Sequence, residues 1–281
     1  MSQSPIIATP LLEDVLDELH SLLRSLRPDE WHLPTVSSER LVRDIVAHLL
    51  DGSVRRLSMQ RDRYTSPPPN GPNRGETLLD YLNRLNNSWE QATRRLSPNI
   101  IIDLLEVADR QYVEYFKSLD PFGQAFFPVA WAGEESSLNW FDVGREYTEK
   151  WHHTQQIFLA TGRESTITGR RLYHPCLDLF LRALPYTFND AIPTEGTSVV
   201  VEVTGAAGGR WQIVRTSDRW IASESSKTDP VVHVTIPQDC AWRVFTKRRT
   251  ADELLAQFPQ IKINGEDSLG RTVLEMVSVM A

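Results

Sequence analysis

Length, composition and charge limit what this chain can do. It has 281 residues, 41% of them hydrophobic and 24% charged, as in ordinary globular proteins. Its formal net charge of −7 argues against a nucleic-acid partner, because phosphate binding requires a basic face. We expect no membrane partner, since no apolar run approaches the roughly 20 residues of a spanning helix. We expect no signal peptide, since the start lacks a charged n-region and its apolar residues alternate with acids. Two cysteines in no metal or redox spacing, Cys176 and Cys240, predict a reduced, cytoplasmic protein.

Residues 1–165 are predicted to form an up-and-down, four-helix-type bundle. The first helix has Thr9 as a plausible N-cap and Pro10 at its first helical position, and its leucines follow the 3.6-residue period. Further helical patterns follow in chain order, and Gly162 is expected to close the last one. They are RLVRDIVAHLLDG (40–52), GETLLDYLNRLNNSWEQATRRL (75–96), NIIIDLLEVADRQYVEYFKSL (99–119, possibly broken) and SLNWFDVGREYTEKWHHTQQIFLATG (137–162).

Two segments interrupt the helical patterns. The stretch TSPPPNGPNRG, residues 65–75, contains too many prolines and glycines for a helix and predicts a surface loop within the bundle. The stretch FGQAFFPVAWAGEESS, residues 122–137, predicts an apolar loop that either packs on the core or walls a pocket.

The pattern changes after residue 165. A connecting helix is predicted within 166–190, and residues 191–281 are predicted to form a small α+β domain. Its β-branched and aromatic runs are bounded by turn residues, which is typical of strands. The predicted strands are TSVVVEVTG, GRWQIVRTS, RWIASES, PVVHVTIP and QIKING, with helices at QDCAWRVFTKR, TADELLAQF and the C-terminal end. The predicted fold class is therefore an α-helical bundle followed by an α+β domain.

Three side chains from two distant helices form a candidate metal site. Glu149 and His153 are one helical turn apart, so they project from the same face. His48, inserted into the apolar pattern of an earlier helix, is the natural third ligand, because bundles build metal sites from facing helices. His152 or Glu146 is an alternative to one of these ligands. The plain alternative is a surface Glu-x-x-x-His pair contributing a few tenths of a kcal/mol.

A family resemblance supports the metal interpretation. The stretch WHLPTVSSERLVRDIVAHLLDG resembles the N-terminal signature of the DinB-like, mycothiol-dependent maleylpyruvate isomerase family, and EKWHHTQQI is similar to its second motif. The resemblance implies that His48, Glu149 and His153 bind a divalent metal ion. It also implies a low-molecular-weight thiol cosubstrate, such as mycothiol or bacillithiol, and a C-terminal domain related to sterol-carrier proteins.

The chain departs from the family pattern at several positions. Arg40 or Leu41 stands where the family usually has a tryptophan, and Gln156 stands where it usually has an aspartate. The family's catalytic arginine matches Arg248 or Arg249 best, and a solvated charge cluster is the alternative there. Metal binding therefore carries over more safely than the reaction.

These observations predict a divalent-metal-dependent isomerase or S-transferase. It would add the thiol to a small electrophilic substrate such as maleylpyruvate, or isomerise it, as a monomer or homodimer. Zinc is the expected metal, with nickel or iron also compatible with the ligands. One alternative is a hydrolase whose nucleophile is metal-bound water. Another is a lipid-binding module in which Trp211, Trp220 and Trp242 line an apolar cavity.

Overall fold

The computed structural model describes residues 4–37, 40–64, 73, 75–223, 229–246 and 249–279. Two compact units can be distinguished. The helical unit comprises Thr9–Asp120 and His153–Thr166, and the sheet unit comprises Met1–Ala8, Pro121–His152 and Ile167–Ala281. Within the described residues, every helix is too short or too polar to span a bilayer.

The helical unit is built from amphipathic helices whose apolar faces are buried. Helix α4 packs against α1 and α2, and α3 packs against α2. Helix α5 runs without interruption from the sheet unit into the helical unit. The helices are α1 (Thr9–Ser25), α2 (Val42–Arg56, extended by a π-helical turn at Leu57–Arg61), α3 (Leu78–Thr93), α4 (Pro98–Lys117) and α5 (Asn139–Thr161).

Capping residues determine where these helices begin and end. The Ser97 hydroxyl accepts a hydrogen bond from the Ile100 amide over 3.4 Å, and Pro98 follows as the first helical residue. Helix α4 then continues unbroken to Lys117, so the break that its sequence allowed does not occur. Helix α5 ends just before Gly162, which has a φ of +64° and terminates the helix as predicted.

A buried carboxylate links three helices of this unit. Asp109 of α4 is 1% exposed and accepts a hydrogen bond from Ser53 of α2 over 2.5 Å. Its second oxygen lies 2.9 Å from Nε2 of His20 on α1. Both carboxylate oxygens are therefore paired, which offsets the cost of removing the group from water. No sequence pattern identified this network.

The sheet unit contains a mixed sheet with strand order β3-β2-β1-β4-β5. Strand β1 pairs antiparallel with β2 and parallel with β4, and the two edge strands are antiparallel to their neighbours. The strands are β1 (Ser198–Thr204), β2 (Gly209–Arg215), β3 (Trp220–Ser223), β4 (Val232–Pro237) and β5 (Lys262–Gly265). The helices of this unit besides α5 are α6 (Arg170–Leu181), α7 (Leu184–Thr187), α8 (Gln238–Phe245), α9 (Ala251–Gln257) and α10 (Asp267–Leu274).

The inner face of the sheet is almost entirely apolar. Val201 of β1 lies opposite Val234 of β4 and Trp211 of β2, and Val234 lies opposite Ile263 of β5. Val201 and Val234 are fully buried. The other face carries polar side chains such as Glu202 and His233, whose Oε2 and Nε2 atoms lie 2.8 Å apart, together with the buried Val200. The first face is therefore the more completely apolar of the two.

The mixed helical and α+β character agrees with the predicted fold class. The segment predicted as one connecting helix forms two, because α6 ends at Leu181 and Pro185 lies in the short α7. Most of the proline-rich segment 65–75 and the ends of two predicted elements, 224–225 and 247–248, lie outside the described residues. The DinB-like bundle at 1–165 and the sterol-carrier-like domain at 191–281 stay predictions.

Candidate metal centre

Helix α2 fixes the position of His48. At its start, the Asp44 carboxylate accepts a hydrogen bond from the Leu41 amide over 3.0 Å, which satisfies one N–H of the first turn. Beside His48, the Ala47 carbonyl accepts a hydrogen bond from the indole N–H of Trp89 on α3 over 2.9 Å. The helix is thus anchored both at its end and next to His48, which is half-buried.

Helix α5 supplies Glu149 and His153 one turn apart. Residues at this spacing have Cβ atoms about 5–6 Å apart on the same face of a helix. Glu149 is half-buried, and His153 is buried with 5% of its surface exposed. The helix therefore presents a carboxylate and an imidazole side by side on one face, and the carboxylate is the more exposed of the two.

The structure brings His48 close to both of these side chains. Its ring centroid lies 4.9 Å from that of His153, with the two planes at 70°. One ligand atom from each of His48, Glu149 and His153 lies within 4.8 Å of the other two. Donor atoms on a four-coordinate zinc ion lie roughly 3.3 Å apart, given bonds of about 2.0–2.1 Å. Binding of one zinc ion would bring these donor atoms closer together by up to about 1.5 Å.

Gln156 orients the imidazole of His153. Its amide oxygen lies 2.9 Å from Nδ1 of His153, and Gln156 is only 1% exposed. Because an amide oxygen accepts hydrogen bonds, this contact suits the tautomer that is protonated at Nδ1, which is the tautomer that binds a metal ion through Nε2. This is how a hydrogen bond at one ring nitrogen selects the tautomer for metal binding at the other. The sequence identified Gln156 only as a departure from a family pattern.

His152 and Glu146, the two alternative ligands, contact residues outside the candidate metal site. His152 is 1% exposed, and its ring makes an edge contact with Trp242 at 5.5 Å between centroids. Glu146 lies 3.6 Å from Nε of Arg145. Among the described residues, the group of converging ligand atoms includes neither His152 nor Glu146.

A second carboxyl group lies on the same helix as His48. Asp51, three residues further along α2, is 9% exposed and pairs with Arg55 over 3.0 Å. Burial raises the pKa of Asp51 above its ordinary value, and the charge of Arg55 partly opposes that shift. The interior around α2 therefore accommodates more than one ionisable group.

The two cysteines are unsuitable as nucleophiles. Both are free and buried. Burial raises the pKa of Cys176 well above its ordinary value, and burial together with Asp239 raises the pKa of Cys240 to about 11. Since the thiolate is the reactive form, neither side chain supplies a nucleophile near neutral pH.

The arginine implied by the family resemblance, Arg248, lies outside the described residues. The other match, Arg249, is described, and Nη1 of its guanidinium donates a hydrogen bond to Oε1 of Gln257. A catalytic role for either arginine stays a prediction.

The tryptophans considered for a lipid cavity lie in the core of the sheet unit. Trp211 donates its indole N–H to Asp178 over 2.7 Å, and Trp220 donates to the Ala191 carbonyl over 3.0 Å. Trp242 is 3% exposed and contacts the ring of Trp151. Each is therefore accounted for by core packing.

Comparisons with known proteins show the fold of the chain. No family model matches it, and no curated protein matches it in sequence. The solved structure of the mycothiol-dependent maleylpyruvate isomerase is similar, with a TM-score of 0.54, 11% identity and coverage of 84% of this chain and 86% of that chain. A histidine-to-alanine mutant of that enzyme matches with a TM-score of 0.51 at the same identity and coverage. The predicted family is thus supported at the level of fold.

Proposed function

We propose that this protein binds one divalent metal ion through His48, Glu149 and His153. We further propose that it uses a low-molecular-weight thiol to add to, or isomerise, a small electrophilic substrate such as maleylpyruvate. The observation that carries the proposal is the convergence of two imidazoles and one carboxylate within 4.8 Å of one another. The convergence occurs in a chain whose fold is similar to that of a mycothiol-dependent maleylpyruvate isomerase.

The chemistry of these residues fits a catalytic rather than a structural metal site. Three protein ligands leave at least one coordination position open, whereas structural zinc sites are closed by four. The contact between Nδ1 of His153 and Gln156 suits metal binding through the other ring nitrogen. Zinc suits this donor set best, and nickel or iron is compatible with it.

Each residue of the site has a definite task. Gln156 orients the ring of His153, His48 supplies a second imidazole, and Glu149 supplies a carboxylate on the more exposed side. A divalent metal ion, when bound, lowers the pKa of a coordinated thiol and so favours the thiolate at neutral pH.

The nucleophile is proposed to come from outside the protein. The chain has only two cysteines, and burial raises the pKa of both thiols. A small soluble thiol has no such limitation. The structurally similar isomerase is likewise described as dependent on a thiol, mycothiol.

In the isomerisation, the thiolate sulfur forms a bond to one carbon of an activated cis double bond. The electron pair of that double bond moves into the adjacent carbonyl group, which leaves a single bond free to rotate. When the electron pair returns, the carbon–sulfur bond breaks and the trans isomer and the thiolate are released. No oxidant or reductant is consumed. We propose Arg248 as a further catalytic residue in this reaction.

Metal content tests the proposed ligands directly. Purified wild-type protein should contain about one equivalent of a divalent metal by elemental analysis, and His48→Ala should contain almost none, because two ligands alone do not form the site. The matched control is His32→Ala, which removes an exposed histidine of the same unit and should retain the metal. Equal metal content in His48→Ala and wild type would show that His48 is not a ligand.

Thiol dependence tests the reaction class. Consumption of maleylpyruvate should require both added thiol and metal, should stop on treatment with a chelator, and should return with zinc. Glu149→Gln should lower the rate under the same conditions. Turnover of esters or amides without any thiol would instead identify a hydrolase and refute the thiol mechanism.

A further inference from the structure

A surface cavity lies in the sheet unit beside the loop that precedes helix α5. Its volume is about 390 Å³, and Pro5, Phe122, Leu138 and Trp140 form its apolar walls. Ligand pockets typically have volumes of roughly 300–1,000 Å³, so this one suits a small molecule. None of the proposed metal ligands lines it.

The apolar walls are unusually exposed for large side chains. Phe122 is 61% exposed and Leu138 is 42% exposed. A neighbouring residue of the same loop, Phe126, is 57% exposed but does not line the cavity. Clustered exposed apolar side chains at a concave surface mark binding sites more often than isolated ones do.

One carboxylate gives this cavity its charge. Among the lining residues that the structure describes, Glu134 is the only one with an ionisable side chain. The Ser137 hydroxyl donates a hydrogen bond to Oε2 of Glu134 and accepts one from the Val129 amide over 2.8 Å. The carboxylate thus acts as an acceptor and is held in place by a buried serine.

The walls of the cavity are held by backbone hydrogen bonds. The Ala125 amide donates to the Ser137 carbonyl over 2.8 Å, and the Asn139 amide donates to the Gly123 carbonyl over 2.9 Å. Because the two sides of the loop are tied together, the cavity is formed before any ligand arrives. A preformed site avoids the entropic cost of ordering a loop on binding.

A nearby cation is already paired elsewhere. The Arg182 guanidinium lies 4.9 Å from the ring centroid of Trp140. It donates hydrogen bonds to the Asp178 carboxylate over 3.1 Å and to the Ser4 carbonyl over 2.7 Å. Within the part of the chain that the structure describes, Glu134 has no ion pair with a lysine, arginine or histidine. Its negative charge is available to a ligand.

We propose that this cavity is a second binding site, which takes a small organic ammonium ion with an apolar body. The ammonium group would pair with Glu134, and the apolar body would lie against Phe122, Leu138 and Trp140. A charged hydrogen bond to a fixed carboxylate gives such a site its preference for cations over neutral molecules of the same shape. This site is independent of the proposed metal centre.

Benzylamine, protonated at pH 7.5, is the probe that tests the site, with benzyl alcohol as its neutral counterpart. Isothermal titration calorimetry of the full chain should show saturable binding of benzylamine and at least about tenfold weaker binding of the alcohol. Glu134→Gln keeps the shape of the cavity but removes its charge, and should weaken benzylamine binding by about tenfold or more. The matched control, Glu135→Gln, changes an exposed acid next to it and should bind like wild type.

A second pair of variants tests the apolar wall without disturbing the core. Phe122→Ala should weaken benzylamine binding several-fold, whereas Phe126→Ala should leave it unchanged, since both side chains are mainly exposed. Undetectable binding to wild type at millimolar concentrations would overturn the proposal. So would equal binding to wild type and Glu134→Gln. Metal content is unaffected by either result, so the two proposals fail separately.

Discussion

The interiors of two regions differ in their chemistry. The helical unit buries charged side chains from several helices and turns, including Glu30, Asp44, Asp51, Glu90 and Asp109. In the described part of the chain from residue 198 to 279, the buried polar side chains are serine or threonine, and none is charged. The sheet region therefore depends on apolar burial, whereas the helical interior depends on pairing its polar groups. Two of the three proposed metal ligands, His48 and His153, belong to the helical unit.

The largest effect is expected from breaking a buried pairing in the helical unit. Asp109→Ala removes the partner of Ser53 and His20, and should lower the free energy of unfolding by about 3–5 kcal/mol. Urea denaturation measures this loss. Asp103→Ala, on the same helix but in an exposed ion pair with Arg24, should stay close to wild type. If both variants lose the same free energy of unfolding, burial of the carboxylate does not determine its contribution to stability.

A polar atom in the sheet core should be poorly tolerated. Val234→Thr keeps the shape of a fully buried side chain but introduces a hydroxyl among apolar neighbours. We expect a loss of about 1–3 kcal/mol in the free energy of unfolding, because the hydroxyl is removed from water. Val214→Thr, at a half-buried position on β2, should have a smaller effect. If Val234→Thr leaves the free energy of unfolding unchanged, the sheet core tolerates a buried hydroxyl and its apolar composition is not required for stability.

The orientation of His153, a proposed metal ligand, gives a more specific test of the helical interior. Gln156→Leu leaves α5 intact but removes the acceptor at Nδ1 of His153, and should weaken metal binding by about 10- to 100-fold. Competition with a chromophoric chelator measures the affinity. Gln155→Leu is the matched control, because that neighbouring amide accepts a hydrogen bond from Ser165 instead. If Gln156→Leu binds the metal ion as tightly as wild type, Gln156 does not orient His153 for metal binding.

The smallest effect concerns the pH dependence of stability. A hydrogen bond from the Arg27 amide and the Arg163 guanidinium hold the pKa of Glu30 below its ordinary value. A carboxyl group whose pKa is lower in the folded state stabilises the fold above its ordinary pKa, and this contribution is lost as pH falls through the folded value.

Glu30→Gln should therefore lose less stability than wild type when urea denaturation is repeated at successively lower pH below about 5. Glu164→Gln, which alters an exposed acid, should show the same pH dependence as wild type. Parallel curves for Glu30→Gln and wild type would show that this pairing is unimportant at acid pH.

Much of the architecture follows from local patterns in the sequence. The end of α5 before Gly162 and the alternation along β4 follow from residue type and period. Helix α1 begins at Thr9 itself, one residue before the start that was predicted with Thr9 as N-cap. Side-chain period and capping act over a few residues, which is why a single sequence reveals them. The sequence left open whether α4 is broken, and the structure shows it unbroken. The division of the connecting helix at Leu181 was not predicted: Pro175 lies inside α6 and Pro185 lies in α7, and residue type alone does not distinguish these two prolines.

The site shows the same division between sequence and tertiary structure. By itself, the sequence determined that Glu149 and His153 share one face of a helix, because four residues make one turn. Only the tertiary structure decided that His48 lies against that face, that Gln156 fixes the imidazole of His153, and that Asp109 joins three helices. These contacts connect residues on different helices or depend on one rotamer. Their free energies come from burial and pairing in the folded interior, which no local pattern records.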